Sequence, residues 1–348
     1  MFGIDKTELR NIKVEAIDLN VLKFNPKIMF NLASDNGYSV KEYGSNKTIQ
    51  LDRIYIKDNY LFNVFRLDYK KDRGSKIYYT SLDITINTKE NTRNNVNPLS
   101  VSEYIDKINN IKDYLKDRYG IYIYLQDCRF HEIEINITEF MEYEFEEYKL
   151  LFEAIRLKRN QKVYPCYSPI EKHLKYGTHK VYSKVMELKF YNKTKQVYDA
   201  FKIQIDSNCM RLEYTLKGYD KIKDKLGTTS PFDLTMDTLR SFLNESVKTD
   251  VFKPIEAYIN ESNKKLIKMY RNVKKQNKKG YIKEFTHKAN SKDSVIFDMN
   301  QVLDIIKTDA QKSKNYSKYK KIVNEIMSDS LKGNLDKYKE FKVKFFIK

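Results

Sequence analysis

The chain has 348 residues, of which 41% are hydrophobic, and its formal net charge is +18. This length and hydrophobic content are enough for a sizeable buried core and two domains. The excess of lysine and arginine favours a polyanionic partner, because these side chains neutralise phosphates and release counterions. A lysine-rich, AT-biased genome would produce the same excess, so charge alone does not assign a nucleic-acid-binding function.

Composition and motifs argue against several other classes of protein. No segment approaches the roughly 20 apolar residues that a membrane-spanning helix requires. Residues 1–10 contain no apolar signal-peptide stretch. The three cysteines are widely spaced, and the four histidines form no zinc motif. We therefore expect a cytoplasmic protein without membrane association, disulfide bonds or a zinc site.

The first half of the chain is rich in predicted strands. Alternating, β-branched and aromatic runs predict them at residues 11–17, 51–56, 61–69, 76–87, 121–125 and 129–137. An apolar stripe at helical spacing predicts a helix across residues 99–120, with Ser100 or Ser102 as N-cap and Gly120 as C-cap. Residues 142–160 also have a helical pattern.

The second half begins with two more predicted strands, at residues 181–191 and 208–216. After Gly218 only helical patterns follow, at residues 233–247, 251–273, 298–312 and 316–327. This order predicts an α+β domain over residues 1–225, with an antiparallel sheet covered on one face by helices. An all-α domain is expected over residues 226–348. The uncovered face of the sheet is expected to be polar and accessible to DNA.

Two of the predicted strands place chemically useful side chains on one face. Side chains alternate along a strand, so Glu187, Lys189, Tyr191 and Lys193 share a face of the first strand. Arg211 and Glu213 share a face of the second strand. If the strands are neighbours, one sheet face carries the groups needed for attack by a tyrosine on a phosphodiester.

Four carboxylates stand at polar positions inside otherwise apolar strands. These are Asp83, Glu132, Glu134 and Glu213. Carboxylate oxygens suit Mg²⁺ or Mn²⁺, and such a cation would polarise a phosphate. A solvated sheet face with ordinary cross-strand ion pairs is the alternative interpretation.

Tyr191 is the candidate nucleophile. A tyrosine hydroxyl has an unperturbed pKa of about 10 and needs help to ionise near neutral pH. Lys189, Lys193 or a bound metal would lower that pKa by favouring the phenolate.

The order and spacing of these segments, from about residue 78 to 217, resemble the phage and plasmid rolling-circle replication initiators. The likeness is to the filamentous-phage gene II nickases and their plasmid Rep relatives. In that family a strand ends in a tyrosine followed by a lysine, as Tyr191 and Lys193 do here. A later strand has the form Arg-apolar-Glu, as at Arg211 and Glu213. The family has an Arg-Ile-Asp strand where this chain has Glu132-Ile133-Glu134, which departs from it at both polar positions.

The resemblance implies a metal-dependent, site-specific DNA nickase and strand transferase. Tyr191 would form a 5′-phosphotyrosine link and leave a 3′-hydroxyl primer, and the strand would later be rejoined. Lys193 would lie beside the scissile phosphate, and Glu134 and Glu213 would be ligands of Mg²⁺ or Mn²⁺. The partner would be double-stranded origin DNA with an exposed single-stranded nick site in a bacterial host. A host helicase and a second copy of the chain are further candidate partners.

Other assignments stay open at the level of sequence. Arg211 is a candidate either for a phosphate contact or for an ion pair with Glu213 or Glu187. Six lysines are candidate DNA contacts, with a solvated lysine-rich surface as the alternative: Lys189, Lys274, Lys275, Lys278, Lys279 and Lys318. A non-enzymatic origin-binding initiator or repressor, or a single-strand-binding protein of a mobile element, would share the charge without needing Tyr191.

Overall fold

A computed structural model of the chain describes residues 1–18, 21, 50–57, 64–71, 77–87, 96–155, 162–164, 179–276, 308 and 332–347. Its strands are β1 Phe2–Ile17, β2 Gln50–Lys57, β3 Val64–Lys71, β4 Ile77–Asn87, β5 Ile121–Tyr124, β6 Arg129–Met141, β7 Lys162–Tyr164, β8 His179–Tyr182, β9 Met186–Asn192 and β10 Asn208–Lys217. Its α-helices are α1 Val101–Tyr119, α2 Lys149–Ala154, α3 Lys193–Phe201, α4 Tyr219–Leu226, α5 Met236–Val247, α6 Lys253–Gln276 and α7 Lys332–Lys344.

The strands form a ten-stranded sheet in the order β2-β3-β4-β1-β6-β10-β9-β8-β7, and β5 pairs with β1 outside this path. The pairs β1–β4, β1–β5, β1–β6, β2–β3 and β3–β4 are all antiparallel. The predicted α+β class with an antiparallel sheet is confirmed. Among the described residues after 226, every regular element is helical. The predicted helices at 298–312 and 316–327 lie outside the described residues, apart from residue 308.

The helix α1 forms as the sequence predicts, because its local signals agree. The Ser100 hydroxyl oxygen accepts a hydrogen bond from the Glu103 backbone N–H, and the Glu103 carboxylate accepts one from the Ser100 backbone N–H, which completes a capping box. Gly120 ends the helix in the left-handed conformation, with φ of 66°. The buried stripe packs against the sheet, where the Tyr104 ring stacks on Phe130 with centroids 6.1 Å apart.

Two β-bulges shift the alternation of the central strands. Between β1 and β6, Ile4 pairs with Ile135 and Lys6 with Glu134, so Asp5 is an extra residue on β1. On β6, His131 is the extra residue opposite the junction of Glu8 and Leu9. A bulge re-aims the side chain of its extra residue, and Asp5 is therefore placed by the bulge and not by simple alternation.

The described residues form two compact units. The first comprises Met1–Thr138, Lys180–Ile205 and Arg211–Phe242, and the second comprises Glu139–His179, Asp206–Met210 and Leu243–Lys348. The second unit contains an aromatic cluster in which the Phe341 ring lies near those of Tyr148, Phe152, Phe252 and Phe345. The boundary predicted near residue 225 falls inside the last segment of the first unit. None of the described helices is both long enough and apolar enough to cross a membrane.

Several elements differ from the sequence-based expectation. The strand β1 begins at Phe2, nine residues before the predicted start at residue 11. The predicted strand 181–191 is divided into β8 and β9, because Ser183 accepts hydrogen bonds from the backbone N–H groups of Val185 and Met186 in a turn. The short helices α3 and α4 were not predicted, since each is shorter than the window that shows a helical period.

Candidate active site

Three carboxylates from three different strands converge in the first unit. Asp5 comes from the bulge in β1, Glu134 from β6 and Glu213 from β10, and ligand oxygens of the three lie within 4.8 Å of one another. All three residues are buried. Ionised carboxylates buried at this spacing repel one another, and counter-charges from the protein or from a bound cation would stabilise them.

Lys189 on β9 supplies the first counter-charge. Its Nζ lies 2.7 Å from Glu213 Oε1, 3.7 Å from Glu134 Oε1 and 3.9 Å from Glu187 Oε2. Burial lowers the pKa of Lys189, but the negative charges of Glu213 and Glu134 outweigh it and raise the pKa far above its ordinary value. Lys189 is therefore a protonated ammonium in contact with two of the three carboxylates.

Arg211 on β10 supplies the second counter-charge, and its side chain is fully buried. Its Nη1 donates to Asp5 Oδ2 at 3.1 Å and its Nε donates to Thr138 Oγ1 at 2.8 Å. Its Nη2 donates to the Val96 carbonyl at 2.8 Å. Arg211 thus fixes Asp5 from one side and holds the segment that leads into α1. Of the two roles left open for Arg211, the structure shows an ion pair, with Asp5 as its partner.

Tyr191 on β9 lies against this group. Its hydroxyl donates to Glu213 Oε2 at 3.1 Å, and the residue is only 4% exposed. Burial, followed by the negative charge of Glu213, raises the pKa of Tyr191 well above its ordinary value, and the attraction of Arg211 only partly opposes this. The expectation that neighbouring lysines lower the pKa of Tyr191 is wrong for the protein alone, because burial and the negative charges of Glu213 and Asp5 outweigh the opposing effect of Arg211.

The chain leaves the site through a well-defined turn into α3. Asn192 is the N-cap, and its side-chain oxygen accepts from the Lys195 backbone N–H at 3.0 Å. Lys193 is fully buried at the first position of the helix, where its Nζ donates to Gln196 Oε1 at 2.9 Å. The helix start is therefore fixed immediately after Tyr191.

The other predicted carboxylates lie outside this group. Asp83 faces Arg10, with 3.7 Å between Oδ2 and Nε. Glu132 pairs with Lys6 at 2.8 Å and with Lys217 at 3.6 Å. The structure therefore brings Glu134 and Glu213 together with Asp5, and it places Asp83 and Glu132 in separate ion pairs on the sheet.

The candidate DNA-binding lysines do not form one group in the part of the chain that the structure describes. Lys189 lies inside the carboxylate group, whereas Lys274 and Lys275 lie in α6. Lys278, Lys279 and Lys318 lie outside the described residues.

The part of the sheet face around Tyr191 is buried, which differs from the expectation of an open polar face, whereas Glu187 and Lys189 on the same strand are half-buried. Every residue of β10 from Cys209 to Leu216 is buried, on both faces. Strand alternation identified which side chains share the face, but it gives no information on what covers them.

Sequence reasoning missed Asp5 and Thr138. Asp5 follows Gly3 and Ile4 in a short run before a polar stretch, and the bulge that aims it leaves no period in the sequence. The sequence does contain one related feature, the glycine at position 3. In the structure, a Cβ at Gly3 would lie 2.1 Å from the Leu99 carbonyl oxygen, so only glycine fits there. A glycine at such a close approach of two backbones marks the neighbourhood of the site.

The donor set fits a divalent cation. Carboxylate oxygens are the ligands that Mg²⁺ and Mn²⁺ prefer, and the three carboxylates carry one more negative charge than Lys189 and Arg211 neutralise. The residues that would hold the cation are Asp5, Glu134 and Glu213.

Comparison with known proteins gives little beyond this geometry. No protein-family model matches the chain, and no curated protein matches it. Among solved structures, the chain is similar to a rolling circle replication initiator protein from Geobacillus stearothermophilus. The identity is 8%, the TM-score is 0.33, and the match covers 72% of this chain and 84% of the other. A similarity of this size assigns no role to any residue here.

Proposed function

We propose that the chain is a rolling-circle replication initiator that nicks origin DNA with Tyr191 and later rejoins the strand. The observation that carries this proposal is the hydrogen bond from the Tyr191 hydroxyl to Glu213, a member of the buried group of three carboxylates. A nucleophile, a proton acceptor and a candidate cation site are thereby adjacent on one sheet face. The sequence motifs, which resemble those of this class of nickase, support the same assignment.

In the proposed reaction the Tyr191 oxygen attacks the scissile phosphorus, and the hydroxyl proton passes to Glu213 Oε2. The bond from phosphorus to the 3′ oxygen breaks, and that oxygen takes a proton from solvent water to become a 3′-hydroxyl. The product is a 5′-phosphotyrosine link on Tyr191. One phosphodiester has been exchanged for another, so attack by a 3′-hydroxyl reverses the step and rejoins the strand without a nucleotide cofactor.

Protein side chains have distinct parts in this scheme. Glu213 orients the Tyr191 hydroxyl and accepts its proton. Arg211 holds Asp5 in place, and Lys193 fixes the turn that follows the proposed nucleophile through its hydrogen bond to Gln196. A divalent cation held by Asp5, Glu134 and Glu213 would polarise the phosphate and stabilise the charge that develops on it.

The substrate must reach a hydroxyl that is nearly inaccessible. Of the charged side chains in the group, Lys189 is the most exposed, at 21%, whereas those of Glu213 and Arg211 are almost fully buried. Lys189 is therefore the charged side chain of this group that is best placed to contact a DNA phosphate.

The test is incubation with a supercoiled plasmid that carries the chain's own origin, with Mn²⁺ or Mg²⁺ and in EDTA. We expect nicked circles and an SDS-stable protein–DNA adduct, both lost in Tyr191→Phe. Tyr182→Phe, on the neighbouring strand β8, is the control and should nick normally. If Tyr191→Phe nicks as well as the wild type, Tyr191 is not the nucleophile. If the wild type binds the origin but gives no nick, a non-enzymatic initiator or repressor is the better account.

A further inference from the structure

The helix α3, which starts two residues after Tyr191, presents two large aromatic side chains to solvent. Tyr198 is 51% exposed and Phe201 is 42% exposed. Lys193 and Val197 are its buried residues and anchor it to the protein. Tyr198 and Phe201 are three positions apart, so they are neighbours on the outer side of the helix.

Positive charge accompanies these rings. Lys202 Nζ lies 5.3 Å from the centroid of the Tyr198 ring, within the range of a cation–π contact. Lys195 is exposed and precedes Tyr198 by three residues, so it lies on the same side of the helix. Aromatic faces between lysines form the combination that binds single-stranded nucleic acid, in which bases stack on rings and phosphates contact cations.

The position of the helix connects this surface to the site. Lys193 adjoins the nucleophile, and Tyr198 lies about 7.5 Å further along the helix axis at 1.5 Å per residue. A strand whose phosphate is at Tyr191 would therefore need to extend only a short distance to place a base on Tyr198. Duplex DNA would not fit this surface in the same way, because its base faces are already stacked on one another.

We propose that Tyr198 and Phe201 form a stacking platform for bases of single-stranded DNA beside the cleaved phosphate. Lys195 and Lys202 contact the phosphates of the same segment. In this proposal Tyr198 binds the single-stranded DNA and takes no part in cleavage. This inference rests on the proposed function for its location next to a scissile phosphate, but the binding it describes is measured independently of cleavage.

The experiment measures fluorescence anisotropy of a labelled single-stranded oligonucleotide in EDTA, which suppresses cleavage. Loss of one stacked base weakens binding by about 1–3 kcal/mol, so we expect roughly tenfold weaker binding for Tyr198→Ala or Phe201→Ala. Tyr198→Phe should bind almost as well as the wild type, because it keeps the ring. Tyr122→Ala is the matched control: Tyr122 is 39% exposed, with Lys116 Nζ 6.0 Å from its ring centroid, and lies on β5. It should change binding less than twofold.

Salt dependence separates the two components of the platform. Tyr198→Ala should leave the slope of log affinity against log salt unchanged, whereas Lys195→Met should reduce its magnitude by about 0.7. Unchanged binding in the double variant Tyr198→Ala, Phe201→Ala would overturn the platform, even if Tyr191→Phe abolishes nicking. Weaker binding in that variant would support it, even if Tyr191→Phe still nicks. If sedimentation shows that the double variant loses a dimer while its DNA affinity is unchanged, the surface is an interface between copies of the chain and the proposal is wrong.

Discussion

Lys189→Met is expected to lower the free energy of unfolding of the metal-free protein. The substitution keeps most of the unbranched side chain but removes the ammonium that stands against Glu213 and Glu134. The metal-free protein would then contain three close carboxylates with only Arg211 opposing them.

The distances set the size of the effect. At an effective dielectric constant of about 20, a unit charge pair interacts with about 6 kcal/mol at the 2.7 Å to Glu213 and about 4.5 kcal/mol at the 3.7 Å to Glu134. Desolvation of the buried ions offsets most of this attraction. Removing one partner of a buried pair typically costs about 3–5 kcal/mol, and partial exposure of Lys189 places the expected loss near the lower end, about 3 kcal/mol.

A divalent cation should compensate this loss, because it supplies the missing positive charge. We expect Lys189→Met to unfold at lower denaturant than the wild type in EDTA and to approach the wild type at saturating Mn²⁺. By linkage, the variant should bind Mn²⁺ at least about tenfold more tightly. Unfolding by urea in EDTA and in Mn²⁺, together with calorimetric titration of Mn²⁺, measures both quantities.

The control is Lys184→Met, which removes an exposed lysine at the turn before β9. It should behave as the wild type under both conditions. Two results would refute the reasoning: equal stability of Lys189→Met and the wild type in EDTA, or equal stabilisation of both proteins by Mn²⁺.

Three further outcomes are expected. Glu213→Gln should reduce the nicking rate by about a hundredfold or more, because it removes the proton acceptor of Tyr191, whereas Glu132→Gln should retain activity in the same plasmid assay. Gly3→Ala should destabilise the protein by about 1–3 kcal/mol, since its Cβ would collide with the Leu99 carbonyl, and urea unfolding would detect this loss. Burial raises the pKa of Glu187, but its lysine partners lower it further, so the net shift is downward. Glu187 therefore contributes stability above its unfolded pKa of about 4.3 that is lost as pH falls below it, and Glu187→Gln should flatten the unfolding free energy between pH 5 and 3.

Local signals in the sequence were sufficient for part of the fold. The helix α1 was predicted to within a residue or two because capping serine, apolar stripe and terminal glycine agree. The strands β9 and β10 were predicted as carriers of the site because their polar side chains alternate with apolar ones. The sheet order makes β9 and β10 neighbours, as the grouping of Lys189, Tyr191 and Glu213 requires.

The remaining features depend on tertiary contacts that no local pattern encodes. Asp5 enters the group through a bulge that forms where Ile4 and Lys6 pair with Ile135 and Glu134, which lie 131 and 128 positions further along the chain. The burial of the face depends on what covers it, and covering groups such as the Val96 carbonyl come from a distant segment. The alternation of side chains along the strands would have assigned Asp83 and Glu132 to the carboxylate group as readily as Glu134.

The raised pKa of Tyr191 sets a condition for the proposed reaction. The three carboxylates already exceed Lys189 and Arg211 by one negative charge, so ionising Tyr191 would place a second uncompensated charge in a buried environment. Burial and the nearby carboxylates therefore favour the neutral hydroxyl of Tyr191 in the protein alone, and proton transfer to Glu213 would only move charge within the group. A cation among the same carboxylates would add positive charge near the hydroxyl and favour its ionised form. In the proposed reaction, ionisation of Tyr191 would therefore depend on added positive charge, which a cation held by Asp5, Glu134 and Glu213 would supply.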